Sequence, residues 1–138
     1  MESIEEKYES AKTYLSTFLK WIFLGGITGS AGGLIGTLFH VSVEKVTEYR
    51  LENNWVLYFL PIGGIIIAFL YKSFKMSDST GTNQIIDSIR SDQQVPVRLA
   101  PLIFISTVIT HLFGGSAGRE GAALQLGGSI GSFVGNIF

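Results

Sequence analysis

Charged side chains fall in clusters along this chain, and the stretches between the clusters are apolar. Asp, Glu, Lys and Arg are missing from 21–43, 55–71, 99–118 and 121–138, four stretches of 23, 17, 20 and 18 residues. Each is close to the roughly 17–25 residues that an apolar helix needs to cross the hydrocarbon core of a bilayer. A helix is the element that satisfies its own backbone polar groups in lipid, so the pattern predicts four spanning helices. Ahead of the first, Ile4, Tyr8, Ala11, Leu15, Phe18 and Ile22 recur every three or four positions, with Glu5, Glu6, Glu9 and Lys12 between them. That spacing predicts an amphipathic helix over 1–20, which leads into the membrane domain of 21–138. It suits a helix on the membrane surface, one packed on a neighbouring subunit, or a solvated lead-in. The first apolar stretch is not a cleavable signal, because acids and bases both precede it and it is too long.

Between the second and third stretches, Ser77-Asp78-Ser79-Thr80-Gly81-Thr82-Asn83 is rich in turn-forming residues. The following residues predict a short helix over 82–91, with Ile85, Ile86 and Ile89 on one face and Thr82 or Asn83 capping its first turn. Pro96 marks entry to the third stretch and Pro101 lies early inside it. Lys7, Lys12, Lys20, Lys72, Lys75, Arg90 and Arg98 fall on one side if loops alternate, and Lys45 and Arg50 on the other. The excess places the N-terminus and the short helix on the cytoplasmic side.

Composition sharpens the class. Only 15% of residues are charged, well under the roughly 25% of soluble domains. Ten Lys and Arg stand against eleven Asp and Glu, which argues against a nucleic-acid binder. The absence of cysteine excludes disulfide frameworks, thiolate metal sites and thiol catalysis. Glycines are spaced by four at Gly25, Gly29 and Gly33, at Gly32 and Gly36, and at Gly127, Gly131 and Gly135. Such faces let membrane helices approach closely, so helix packing is their expected role.

Enzyme motifs fail. Gly114-Gly115-Ser116-Ala117-Gly118 and Gly127-Gly128-Ser129-Ile130-Gly131 match G-x-S-x-G, yet neither follows a predicted strand. No two glycines are two residues apart, so a dinucleotide loop is absent. His40 and His111 are read as helix-end or packing histidines rather than metal ligands, and no cofactor is expected.

From 99 to 138 only Arg119 and Glu120 are charged, within Gly114-Gly115-Ser116-Ala117-Gly118-Arg119-Glu120-Gly121. Two arrangements fit. One is a tight turn at the membrane surface with both charges in water. The other is a broken helix pair whose junction lies within the membrane, where the bare N–H groups of the new helix point at an anion. Composition does not choose between them, although the glycines leave backbone amides uncovered. A charge near the bilayer centre costs about 2.5–3.5 kcal/mol, and a helix N-terminus returns up to about 2 kcal/mol. At depth, Glu120 would therefore exchange its proton readily and, when charged, compete with an anion for the same amides.

These residues resemble a known family. Gly118-Arg119-Glu120-Gly121 within GGSAGREGAALQLGGSIG looks like the G-R-E-G signature of the CLC anion channels and proton-coupled antiporters, and the order of segments over essentially the whole chain agrees. The resemblance implies an all-α, polytopic membrane fold, the N-terminal portion of two inverted halves with re-entrant or broken helices. It implies that Glu120 is the external gate and proton-coupling residue, with Gly118, Arg119 and Gly121 forming its turn. A second family signature, G-S-G-I-P, corresponds to Gly81-Thr82-Asn83-Gln84-Ile85, which makes Gly81, Thr82 and Asn83 anion-binding residues. Thr82, Asn83 and Ile85 depart from the chloride-type pattern, as does Ala122 where proline commonly follows G-R-E-G. These departures resemble the fluoride-exporting branch.

The expectation is a multi-pass protein of the cell membrane that moves fluoride outward against protons, as a homodimer when complete. On this reading the chain is a first half that cannot transport alone. A chloride-selective channel or exchanger is the alternative, and a non-transporting helical subunit with Arg119 and Glu120 at the surface is another.

Overall fold

A computed structural model describes residues 4–76, 81–91 and 95–137, and all its regular elements are helical. They are α1 (Ile4–Glu52), α2 (Leu60–Ser73), α3 (Thr82–Ser91), α4 (Leu99–Leu112) and α5 (Arg119–Ile137), with a 3₁₀ turn, Asn54–Phe59, between α1 and α2. The turn-rich positions 77–80 lie outside the described residues.

The amphipathic segment and the first apolar stretch form one helix. Nothing between Lys20 and Trp21 breaks it, because a boundary in charge is not a boundary in backbone conformation. At 49 residues it is roughly 74 Å long, more than twice the hydrocarbon core, so it extends well beyond a span. Its end is fixed by Asn53, whose backbone N–H donates to Tyr49 O and Arg50 O, and whose Nδ2 donates to Tyr49 O at 3.0 Å. Pro61 then sits in the first turn of α2, where a missing N–H costs nothing.

α2 and α4 stop in the same way. Met76 N–H returns to Tyr71 O and Lys75 N–H to Lys72 O, while Gly115 N–H returns to Thr110 O at 2.8 Å and Gly114 N–H to His111 O. Both are Schellman caps, which require a left-handed residue after the helix. Lys75 supplies φ 56° and Gly114 supplies φ 80°. The cap at Gly114 cuts the third apolar stretch short, so α4 has only 14 residues.

Four spans were expected; two helices among the described residues, Lys7–Glu52 and Asn54–Ser73, are long and apolar enough to cross a membrane. The absence of charge measures hydropathy, whereas a span also needs an uninterrupted helix. α4 fails on length. α5 is long enough, but its Gly, Ser, Gln and Asn residues lower its hydropathy.

The core forms where the C-terminal half of α1 meets α3, α4 and α5. Phe39 and Val43 pack with Ile85, Leu99, Ile103, Ala122 and Leu126, and Phe39 meets Phe104 edge-on at 5.6 Å. α4 and α5 run antiparallel: Thr107 and Gly121 share one cleft, and Val97 and Ile137 share another at the opposite end. Towards its N-terminus α1 is mostly exposed, and Tyr14, Phe18 and Trp21 project outward, while Ile27 and Thr28 reach α5. The expected packing role of the α1 glycines is not seen here. A Cβ on Gly25, Gly29, Gly32, Gly33 or Gly36 would meet nothing within 4 Å. Spacing by four makes a smooth helix face, but whether another helix lies on it is decided elsewhere.

Candidate functional site

Two helices begin at one place. Gly81, at φ 66°, turns the chain into α3 at Thr82. α5 begins at Arg119, and its hydrogen-bond ladder starts with Ala122 N–H donating to Gly118 O at 3.3 Å. The amides of Arg119, Glu120 and Gly121 therefore precede the ladder, as the first amides of any helix do. Glu120 in this first turn complements the positive end of the helix dipole.

The two N-termini touch. A Cβ on Gly121 would lie 3.2 Å from Thr82 Oγ1, and one on Gly128 would lie 3.0 Å from Ile85 Cγ2. Position 82 is thus beside 121 and position 85 beside 128, so α3 and α5 run in the same sense away from the junction. Their N-terminal partial charges point into common space.

That space is a cleft of about 380 Å³. Of the residues singled out in the sequence, Gly81, Thr82, Gly118 and Gly121 line it. Asn83, Arg119 and Glu120 do not; all three are exposed. The walls also contain Tyr71 from α2, Thr107 from α4 and Gln125 from α5, which sequence reasoning missed. Tyr71 faces Ser106, and Gln125 Nε2 donates to Gly121 O at 3.2 Å. Their signal was available: Tyr71 and Thr107 are polar groups inside apolar stretches, and Gln125 lies one helical turn after Gly121.

Among the described residues, none that lines the cleft carries a formal charge. Its described walls are neutral, made of hydroxyl, amide and apolar groups, with two helix N-termini beside them. Such a site favours a small anion over a cation, because its fixed dipoles present their N–H ends.

The remaining motifs occupy other places. Ser116 is exposed in the turn before α5, and Ser129 is fully buried within α5. No strand precedes either serine among the described residues. His40 is less isolated than expected, since Glu44 lies 3.9 Å away one turn along α1. His111 Nδ1 is 2.8 Å from Thr107 O, an interaction that fixes the ring at the end of α4. No group of three metal-ligating side chains occurs among the described residues.

The family model described as voltage gated chloride channel matches residues 63–138, the part of the chain that holds both helix N-termini. A chloride/fluoride channel protein of Pseudomonas syringae pv. tomato is 36% identical over 120 residues, which cover 86% of this chain and 26% of that protein. An H(+)/Cl(−) exchange transporter ClcA of Vibrio vulnificus is 31% identical over 142 residues, covering 89% of this chain and 29% of the relative. One of Klebsiella pneumoniae is 30% identical over 139 residues, with 88% and 29% covered. The chain thus spans under a third of the length of these relatives. No solved structure matches it.

Proposed function

The chain belongs to the voltage-gated chloride channel family, and we propose that the complete protein exports fluoride across the cell membrane in exchange for protons. The observation that carries this reading is the convergence of two helix N-termini, at Thr82 and Arg119, on one cleft whose described walls are uncharged. A small anion there gains from both helix dipoles and from uncovered amides, and among the described residues no carboxylate lines the walls to repel it.

The placement supports these roles. Thr82 Oγ1 and the amides around Gly81, Gly118 and Gly121 face the anion. Asn83 and Arg119 are exposed at the rim, where they meet an anion on its way in or out. Glu120 stands in the first turn of α5, among the amides that precede its hydrogen-bond ladder. Neutralised by a proton it leaves the site free; charged, it occupies the site, which couples the two ions.

Selectivity for fluoride is supported by Thr82, Asn83 and Ala122 in the signature positions, and by the printed name of the Pseudomonas relative. The ClcA relatives support a second reading, chloride–proton exchange through the same cleft. The N-terminus is cytoplasmic in either case, and the complete protein is a homodimer.

Vesicles containing the complete protein test both readings. Fluoride and chloride electrodes on the same vesicles should show fluoride efflux with strong rejection of chloride, and comparable chloride flux would establish the second reading. Glu120→Gln should abolish proton movement coupled to the anion. Unchanged coupling in that variant would remove Glu120 from the mechanism.

A further inference from the structure

Arg50 is the basic residue of the last turn of α1, and its side chain reaches the turn that separates α4 from α5. Its Cδ would lie 3.4 Å from a Cβ on Gly114, with Leu57 packed against the same glycine. Its Nε is buried and has no hydrogen-bond partner. Among the described residues no carboxylate pairs with it. Glu48 and Glu52, two residues to either side, are exposed and project from other faces of the helix.

Two of the last carbonyls of α1 are capped without the cation. The carbonyls of Tyr49 and Arg50 are already taken by Asn53. A guanidinium N–H removed from water without an acceptor is costly, and an anion relieves that cost. The location is suggestive, because Gly114 and Gly118 are four residues apart and at most about 14 Å of chain separates them. Arg50 therefore touches the turn that leads into the N-terminus of α5, and alternation of the loops groups it with Lys45, opposite the basic residues around the N-terminus and α3.

We propose that Arg50 is a second anion-contacting residue, an outer capture point from which a small inorganic anion passes over the 114–118 turn to the α3–α5 cleft. This rests on the transport reading above. A fixed positive charge beside a cleft mouth raises the local anion concentration, an effect that weakens as salt screens it. Arg50 thus acts on apparent affinity, whereas Glu120 acts on coupling.

The test is fluoride uptake into vesicles carrying the complete protein, the reverse of export through the same cleft, measured against outer fluoride at low and high concentrations of an impermeant salt. Arg50→Gln should raise the apparent KM by about fivefold at low ionic strength. The maximal rate should stay within about twofold, the difference should shrink at high salt, and Arg50→Lys should restore the KM. Should Arg50→Gln fail to fold, Arg50→Cys gives the same information, since this chain has no cysteine of its own. A cationic methanethiosulfonate at position 50 should lower the KM, and an anionic one should raise it. Wild-type KM and salt dependence in Arg50→Gln would overturn the inference, as would equal effects of the two reagents or a thiol that neither reaches. A wild-type protein that carries neither fluoride nor chloride would instead overturn the transport reading itself.

Discussion

The glycines of α1 and those of the α3–α5 junction look alike in sequence and differ in what surrounds them. Gly25, Gly29 and Gly33 form a regular stripe, and a Cβ on any of them would meet open space. Gly114, Gly121 and Gly128 are less regular, yet each faces a neighbouring element closely: Leu57 and Arg50, Thr82, and Ile85 respectively. The lesson is that regular spacing identifies a smooth helix face, while contact identifies the glycines that hold the site together. In lipid this matters more than in water, because close packing rather than withdrawal from solvent drives helix association.

The sharpest way to break this contrast is Gly114→Ala. The backbone there is left-handed and an added methyl group would collide with the Leu57 side chain. The strain of the first and the overpacking of the second together should cost about 2–4 kcal/mol. Thermal unfolding of the purified protein in detergent measures it, and a cost near zero would mean that the cap does not hold the turn.

A smaller effect is expected at the junction itself. Gly121→Ala places a Cβ 3.2 Å from Thr82 Oγ1, so the two helix N-termini must move apart by a few tenths of an ångström. In a double-mutant cycle, Gly121→Ala should be less costly by about 0.5–1 kcal/mol in the Thr82→Ala background than in the wild type. Strict additivity would show that the two residues are not in contact.

The smallest effect belongs to α1. Gly33→Ala should be neutral or stabilise by up to about 0.5–1 kcal/mol, since alanine favours the helix and its methyl group meets nothing. A clear loss of stability would show that another helix covers the stripe and would erase the contrast between the two regions.

Much of the architecture was legible from charge and glycine. The boundaries of α5 and α3 follow from Gly118 and from the turn-formers before Thr82, because helix starts are local events set by a few residues. The unbroken course of α1 was less legible, since a change from charged to apolar composition suggested two elements where the backbone needs only one. α4 ends before the charge-free stretch does, because the absence of charge does not reveal that Phe113 and Gly114 close the helix with a Schellman cap.

The sequence by itself determined the class of element, the membrane setting and the two N-terminal motifs, since these depend on hydropathy and on residues adjacent in the chain. Only the tertiary structure decided that Thr82 meets Gly121, that Tyr71, Thr107 and Gln125 complete the cleft, and that Arg50 lies against Gly114. Those juxtapositions join positions far apart in the chain through the packing of Ile85 on Gly128 and of Phe39 and Val43 on α4 and α5. Contacts of that kind are set by how whole helices fit together, and no local pattern of side chains encodes them.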